Sequence, residues 1–425
     1  MKTTIILLLL LLPSLPLLAQ AFEQHALTLW INPDKGHDGL RQVAEHFTRD
    51  TGMPVKVIAP DDLASRFERL GATAQGPDIV LFAHDRFGSW INAGMLAPLN
   101  PSTEARERAP DFAWQALRIG RDFYGYPLAI EAVSLIYNTE LVAQPPRDLD
   151  QLVALDRQLR AQGKRAIAWD YRNLYFSWPF INAGGAYSIG KHQGLYDLSD
   201  LGIAGPAAVA GVQRLKFLLD SGVLDSASDY GTMMEGFKRG EVAMIVNGPW
   251  AWNELRAADI SFALAAVPGP SAEQPGRPFV GIQAAALNRH SPHKAQARDF
   301  LEHYLSTAAG LRLIDADKPL GAPANLEMMA ERQDAPLIAA TYAAAMSGEI
   351  MPDIPEMKRF WGLFDSRLNA MLQGQRPIPA TLEEIAQRLH AAGRMQGQRR
   401  LHYPLRQQAG DDSAKAYLLE RIQIK

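Results

Sequence analysis

The sequence predicts an open α/β fold whose chain crosses between lobes, and three observations carry that expectation. Short strand-like runs alternate with helical patterns through roughly the first hundred residues. One run, Ile79-Val80-Leu81-Phe82-Ala83, is apolar throughout, as in a strand covered on both faces. The extended stretch 126–137 is too long, and too interrupted by Glu131, to be one core strand; it reads as a crossover between lobes.

Taken in order, Leu27-Thr28-Leu29-Trp30-Ile31 is the first strand. Leu40, Val43, Ala44 and Phe47 follow at i, i+3, i+4 and i+7 and predict a helix that Thr51-Gly52 ends. Val55-Lys56-Val57-Ile58 partly alternates, and Asp61 or Asp62 can cap a helix through Leu63, Phe67 and Leu70. In open α/β sheets ligands bind beyond the carboxyl ends of the strands, which singles out the loops 32–35 and 83–86. Past the crossover, helices are expected over 149–161 and 207–221, the second with Val209, Val212, Leu215, Leu218 and Leu219 on one side. Residues 242–246 read as a strand before Asn247-Gly248-Pro249-Trp250, 279–282 as a returning crossover, and 295–305 and 335–346 as helices. From 391 to 425 the composition changes, with seven basic residues to three acidic ones, and a flexible tail, disordered or a loosely attached helix, is expected.

Composition narrows the function. The 425 residues carry 43 Lys+Arg against 46 Asp+Glu and no cysteine. So balanced a charge argues against nucleic acid as a partner, and the missing thiols remove disulfides, cysteine nucleophiles and Cys-based metal sites. Met1-Lys2, an apolar run over 5–18 and Ala19-Gln20-Ala21 form a leader pattern, so residues 1–21 are expected to be a signal peptide cleaved after Ala21. The run from Gly185 to Lys191 spells G-x-x-x-x-G-K, but His192 stands where Ser or Thr would hold magnesium, and nucleotide binding is set aside. The histidines are scattered, and no metal or other cofactor is expected.

What remains is a set of charges and rings. Asp34, Asp85 and Glu131 each follow or interrupt an apolar strand, with Lys35 and Arg86 beside two of them. Two such carboxylates could serve a glycosidase as acid and nucleophile, accept hydrogen bonds from ligand hydroxyls, or merely cap helices. Three aromatic clusters, Tyr175-Phe176-Ser177-Trp178, Trp250-Ala251-Trp252 and Phe360-Trp361, lie next to Pro or Gly. A sugar ring presents a C–H face for an aromatic plate and a hydroxyl rim for charged groups, so the combination suits a carbohydrate. Core packing is the plainer role for any one ring, Trp178 and Trp252 above all.

Seven separated runs, in order, then carry a resemblance: 30–36, 76–79, 83–88, 131–138, Asn247-Gly248-Pro249-Trp250-Ala251-Trp252, Lys318-Pro319-Leu320-Gly321-Ala322 and Gly348-Glu349-Ile350-Met351-Pro352. They closely resemble the bacterial periplasmic maltose/maltodextrin-binding protein family, over about residues 27 to 389. The resemblance implies an α/β, two-lobed periplasmic binding protein fold, each lobe a mostly parallel sheet flanked by helices, joined by a three-segment hinge. One lobe would hold 22–129 plus 283–332, the other 133–279 plus 335–390, with crossovers near 130–132, 280–282 and 321–335 and an extra tail over 391–425. It implies a monomeric, non-enzymatic component of an ABC importer that binds maltose, maltodextrin or a related α-glucoside and delivers it to the inner-membrane permease, with a chemoreceptor as a further partner. The family's sugar contacts fall on Asp34, Lys35, Ala83, Asp85, Arg86, Glu131, Tyr175, Phe176, Tyr230, Trp250, Met351 and Trp361. Tyr175, Trp250 and Trp361 would be stacking plates. This chain departs from the family at Phe82 (Trp there), Asn173 (Glu), Gly362 (Tyr) and Asp365 (Arg), so subsites farther along a glucan differ.

Overall fold

The computed structural model describes residues 26–192 and 195–400, with side chains to 393. The leader expected over 1–21 lies outside the described residues. The chain opens as β1 (Leu27–Trp30), α1 (His37–Thr51), β2 (Val55–Ile58), α2 (Leu63–Leu70) and β3 (Ile79–Ala83), with β1 parallel to both other strands. Along β1 the side chains alternate: Leu27 and Leu29 join one core with Phe47 and Leu311, and Trp30 joins another with Phe67 and Trp90. Both faces of the sheet are therefore covered at β1. Helix α1 turns Leu40, Val43, Ala44 and Phe47 inward as the spacing requires, and Gly52, at φ 75°, closes it by donating to the Thr48 carbonyl.

Two helix starts are less regular. Asp62 stands at the head of α2 in the left-handed region (φ 51°) and caps no amide with its side chain, although its carboxylate accepts from Ser65 Oγ. Gly36 gives α1 no side-chain cap, and Asp317 supplies one from a distant helix, accepting from the amides of Asp38 (2.8 Å) and Gly39 (3.2 Å).

The short helix α3 (Phe87–Asn92) leads toward β4 (Tyr126–Ala132), which belongs to the first sheet, whereas β5 (Ser134–Asn138) belongs to a second. Between them lies only the buried Val133. The second body adds α4 (Leu149–Arg160), β6 (Arg165–Ala168), α5 (Leu174–Asn182), α6 (Pro206–Asp220), α7 (Tyr230–Lys238), β7 (Val242–Asn247) and β8 (Phe262–Ala265). Its sheet runs β8-β5-β7-β6.

The chain returns through β9 (Phe279–Leu287), whose nine residues are all buried and pair antiparallel with both β3 and β4. Helix α8 (Ala308–Asp317) and β10 (Ala322–Pro323) follow; then α9 (Pro336–Ser347) packs on strands of both sheets, and β11 (Glu349–Ile350) pairs with β9. Helices α10 (Glu356–Asp365) and α11 (Ile378–Arg400) complete the second body.

Three details differ from the sequence expectations. Both sheets are mixed rather than mostly parallel, because β9 returns against β3 and β4, and β5 runs against β7 and β8. The whole of β9 and also β11 lie in the first sheet, so the last passage to the second body falls after Ile350 and not within 321–335. Helix α11 continues to Arg400, past the start of the expected tail at 391; the remainder of that segment, 401–425, lies outside the described residues. Among the described residues no helix is long and apolar enough to cross a membrane.

Candidate functional site

The candidate residues gather from both bodies at the seam between them. Asp34 and Lys35 stand in the loop after β1, and Ala83, Asp85 and Arg86 at the end of β3 and in the turn that follows it. These are the carboxyl ends of two parallel strands. Glu131 projects from β4 one residue before its end. Lys35 Nζ lies 2.5 Å from Glu131 Oε1 and 3.9 Å from Asp34 Oδ2; the Lys35 and Glu131 side chains are 14% and 9% exposed, and that of Asp34 is 55% exposed.

The second body supplies the rings. Asn173 caps α5, its Oδ1 accepting from the Tyr175 amide at 3.0 Å, which sets Tyr175 and Phe176 in the first turn. Asp229 and Thr232 cap α7 reciprocally and place Tyr230 as its first residue. Trp250 sits in a tight turn after β7, and its ring folds back over Gly248: a Cβ there would stand 2.2 Å from two ring carbons. The ring centroids of Tyr175 and Phe176 lie 6.2 and 6.4 Å from that of Trp250, and those of Phe176 and Tyr230 are 6.1 Å apart.

Charges and rings meet directly. Lys35 Nζ lies 4.9 Å from the centroid of the Trp250 ring, and Trp361 on α10 donates its indole N–H to Asp85 Oδ2 at 3.0 Å. Burial pushes the Asp85 carboxyl up to about 6, against the opposing pull of Arg86 and the Trp361 indole. Burial likewise raises the Tyr175 hydroxyl, with the charges of Glu131 and Asp85 adding to it. Burial also dominates at Tyr230, which feels Asp34 as a smaller influence. Ala83 packs against the second body's core, and Met351 is buried, its amide bonded to the Val280 carbonyl.

All twelve candidates thus adjoin one seam. Trp178 and Trp252 are buried in the core, the former stacked on Phe279 at 4.4 Å. At the departures, Phe82 packs on Trp90, and Gly362 has open space where a side chain would go. Burial raises the Asp365 carboxyl, which also feels Arg86 and Asp170.

Two residues escaped the sequence reading. Glu349 on β11 accepts from Asn182 Nδ2, from the Ser188 amide (both 2.8 Å) and from Ser188 Oγ (2.5 Å), tying the first sheet to the segment around α5. His84, between Ala83 and Asp85, is fully buried, its ring bonded to the Ile282 amide and the Met351 carbonyl. Only its place inside the run 83–86 could have flagged it.

Fold and seam together define a class: two α/β bodies joined by passing strands, with charged groups of one facing aromatic rings of the other. The chain belongs to the bacterial extracellular solute-binding protein family, whose pattern matches residues 34–311. Three relatives extend the likeness. It is 22% identical to a galactooligosaccharide-binding protein of Bacillus subtilis over 85% of this chain and 88% of that one. It is 26% identical to a maltotriose-binding protein of Pyrococcus abyssi over 76% of this chain and 71% of that one. It is 24% identical to a maltooligosaccharide ABC transporter solute-binding lipoprotein of Streptococcus pneumoniae over 83% and 85%. By name these relatives bind solutes rather than transform them.

Proposed function

We propose that this protein is the exported, periplasmic solute-binding component of an ABC importer. It takes maltose, maltodextrin or a related α-glucoside between its two bodies and hands the sugar to the membrane permease. One observation carries the proposal: Lys35, Asp85, Arg86 and Glu131 on the first body face Tyr175, Phe176, Tyr230, Trp250 and Trp361 on the second. Rings of this kind pack on the flat face of a pyranose while carboxylates and cations take its hydroxyls, and no bond need be broken. Asp34, Ala83 and Met351 complete the contact set. The first body is built on β1 to β4, β9, β10 and β11 and the second on β5 to β8 with α10 and α11, so the chain passes between them at Val133, before β9 and after Ile350. A sugar touching both favours the closed arrangement by its difference in affinity for the two forms, and the closed surface is what the permease reads.

Calorimetric titration with maltose, maltotriose, trehalose and cyclodextrin tests the ligand, with a galactooligosaccharide as the competing class suggested by the Bacillus subtilis relative. Saturable heat with maltotriose is expected; binding of the galactooligosaccharide alone would overturn the assignment. Small-angle scattering with and without the sugar tests closure, and an unchanged radius of gyration at saturation would refute it.

A further inference from the structure

The turn that carries Asp85 and Arg86 begins with a buried histidine. His84 is completely buried, and both ring nitrogens have backbone partners. Nδ1 lies 3.0 Å from the Ile282 amide on β9, and Nε2 lies 2.8 Å from the Met351 carbonyl just beyond β11. An amide can only donate, so Nδ1 accepts; the ring proton is therefore on Nε2, where it donates to Met351. A charged imidazole would set two N–H groups against each other at Ile282. Burial, which holds this imidazole down at about 4, agrees with the neutral form.

The partners explain why the contact matters. Met351 is held on both backbone groups, its amide by Val280 and its carbonyl by His84. Its side chain lies over Gly281, where a Cβ would approach Met351 Cε to 3.0 Å. Ile282 and Gly281 sit on β9 beside Glu131 and Ile130 of β4. One imidazole thus joins the turn after β3, the central strand β9 and the passage after β11, three segments that meet at the seam.

We infer that His84 is a positioning residue for the ligand seam: as the Nε2–H tautomer it clips Met351 and β9 to the turn bearing Asp85 and Arg86. It touches no ligand itself. The effect on sugar affinity rests on the proposed function, whereas the clip itself does not.

Three variants separate its two bonds. His84→Gln can keep a donor for the Met351 carbonyl and loses the acceptor for Ile282; His84→Asn can keep the acceptor and loses the donor; His84→Ala loses both. In calorimetry with maltotriose, the Asn and Ala variants should bind about tenfold more weakly, a loss of roughly 1.4 kcal/mol, while Gln stays within about threefold of the parent. A role confined to stability would instead lower the unfolding temperature of all three and leave the affinity of the folded protein unchanged, which overturns the inference. NMR on the unsubstituted protein gives a second reading free of any folding defect. Selective ¹⁵N-histidine labelling should show neutral His84 protonated at Nε2 at pH 7; an Nδ1–H or charged ring refutes the clip. The ¹³C-methyl signal of Met351 should move in Asn and hold in Gln. If the parent protein fails to bind maltotriose, the sugar assignment falls, and the Met351 signal alone decides whether His84 positions that segment.

Discussion

Lys35 and Glu131 form a 2.5 Å ion pair roofed by the indole of Trp250, whose ring centroid is 4.9 Å from the Lys35 nitrogen. Lysine comes from the loop after β1, glutamate from β4 and tryptophan from the other body, so three elements converge on one charge pair. With side chains only 14% and 9% exposed, each ion is largely shielded from water and loses its nearest compensating charge if the other is removed.

Glu131→Gln should therefore cost more than a surface pair would. Removing one member of a buried pair costs about 3 kcal/mol, while replacing both is far cheaper. Urea unfolding of Glu131→Gln, Lys35→Met and the double variant should show the double variant markedly more stable than the sum of the singles implies. Strict additivity would mean that the pair is not coupled. All three should bind maltotriose more weakly, since each loses a hydroxyl partner.

Asp85 sets a pH dependence of opposite sign to a salt-bridged carboxylate. Its folded value is about 6 against an ordinary 3.8. The folded state holds the proton more tightly, so stability falls as pH rises from about 4 to 6 and the full cost persists above that. At 1.36 kcal/mol per pH unit, the cost is about 3 kcal/mol. Asp85→Asn keeps an oxygen for the Trp361 indole and removes the charge. It should be more stable than the parent by about 2 to 3 kcal/mol at pH 7.5 and nearly equal to it at pH 4, and it should bind sugar less well. Denaturant midpoints at the two pH values measure this; a gain of the same size at both would rule out the charge as its source.

How far the sequence revealed this arrangement depended on how local each feature was. The order β1-α1-β2-α2-β3 was legible because period and turn chemistry are written within a few residues, as at Leu40, Val43, Phe47 and Gly52. The seam was legible where a candidate contact group follows a strand directly, as Asp34 and Asp85 do. Strand direction was not, because an apolar run such as 279–282 looks alike whichever way it pairs; the antiparallel return of β9 is set by its long-range neighbours β3 and β4. His84 was invisible because its partners lie 198 and 267 residues away. The cap on α1 was hidden for the same reason, Asp317 being 279 residues from Asp38. Past 390, polar composition suggested a tail, yet α11 still buries Ala392.

Gly248→Ala tests the seat of Trp250. The backbone at 248 has φ −112°, open to any residue, so the obstacle is the ring alone, 2.2 Å from the added methyl position. The methyl should push the indole off its seat and away from Lys35. Affinity for maltotriose should fall about tenfold, the scale of one lost aromatic contact. Calorimetry reads the affinity, and tryptophan emission reads the displaced ring. Parental affinity together with unchanged emission would show that the ring keeps its seat and the backbone at 248 yields instead.

Asp317→Ala tests whether a carboxylate borrowed from α8 starts α1. Gly36 offers the helix no side chain, and the amides of Asp38 and Gly39 have Asp317 Oδ2 as their shared acceptor. Losing it should cost about 1 kcal/mol, the usual value of an N-terminal cap, and Asp317→Asn, which keeps an acceptor without the charge, should recover part of that. The substitution leaves the backbone carbonyl of Asp317 in place for its bond from Asn253 Nδ2, so contact with the second body survives. Hydrogen exchange at the amides of Asp38 and Gly39 should quicken in Ala more than in Asn. The loop just before α1 carries Asp34 and Lys35, so a frayed first turn should also loosen Lys35 and weaken maltotriose binding in the same order, Ala more than Asn. Faster exchange at unchanged affinity would separate the cap from the site and confine Asp317 to the stability of α1.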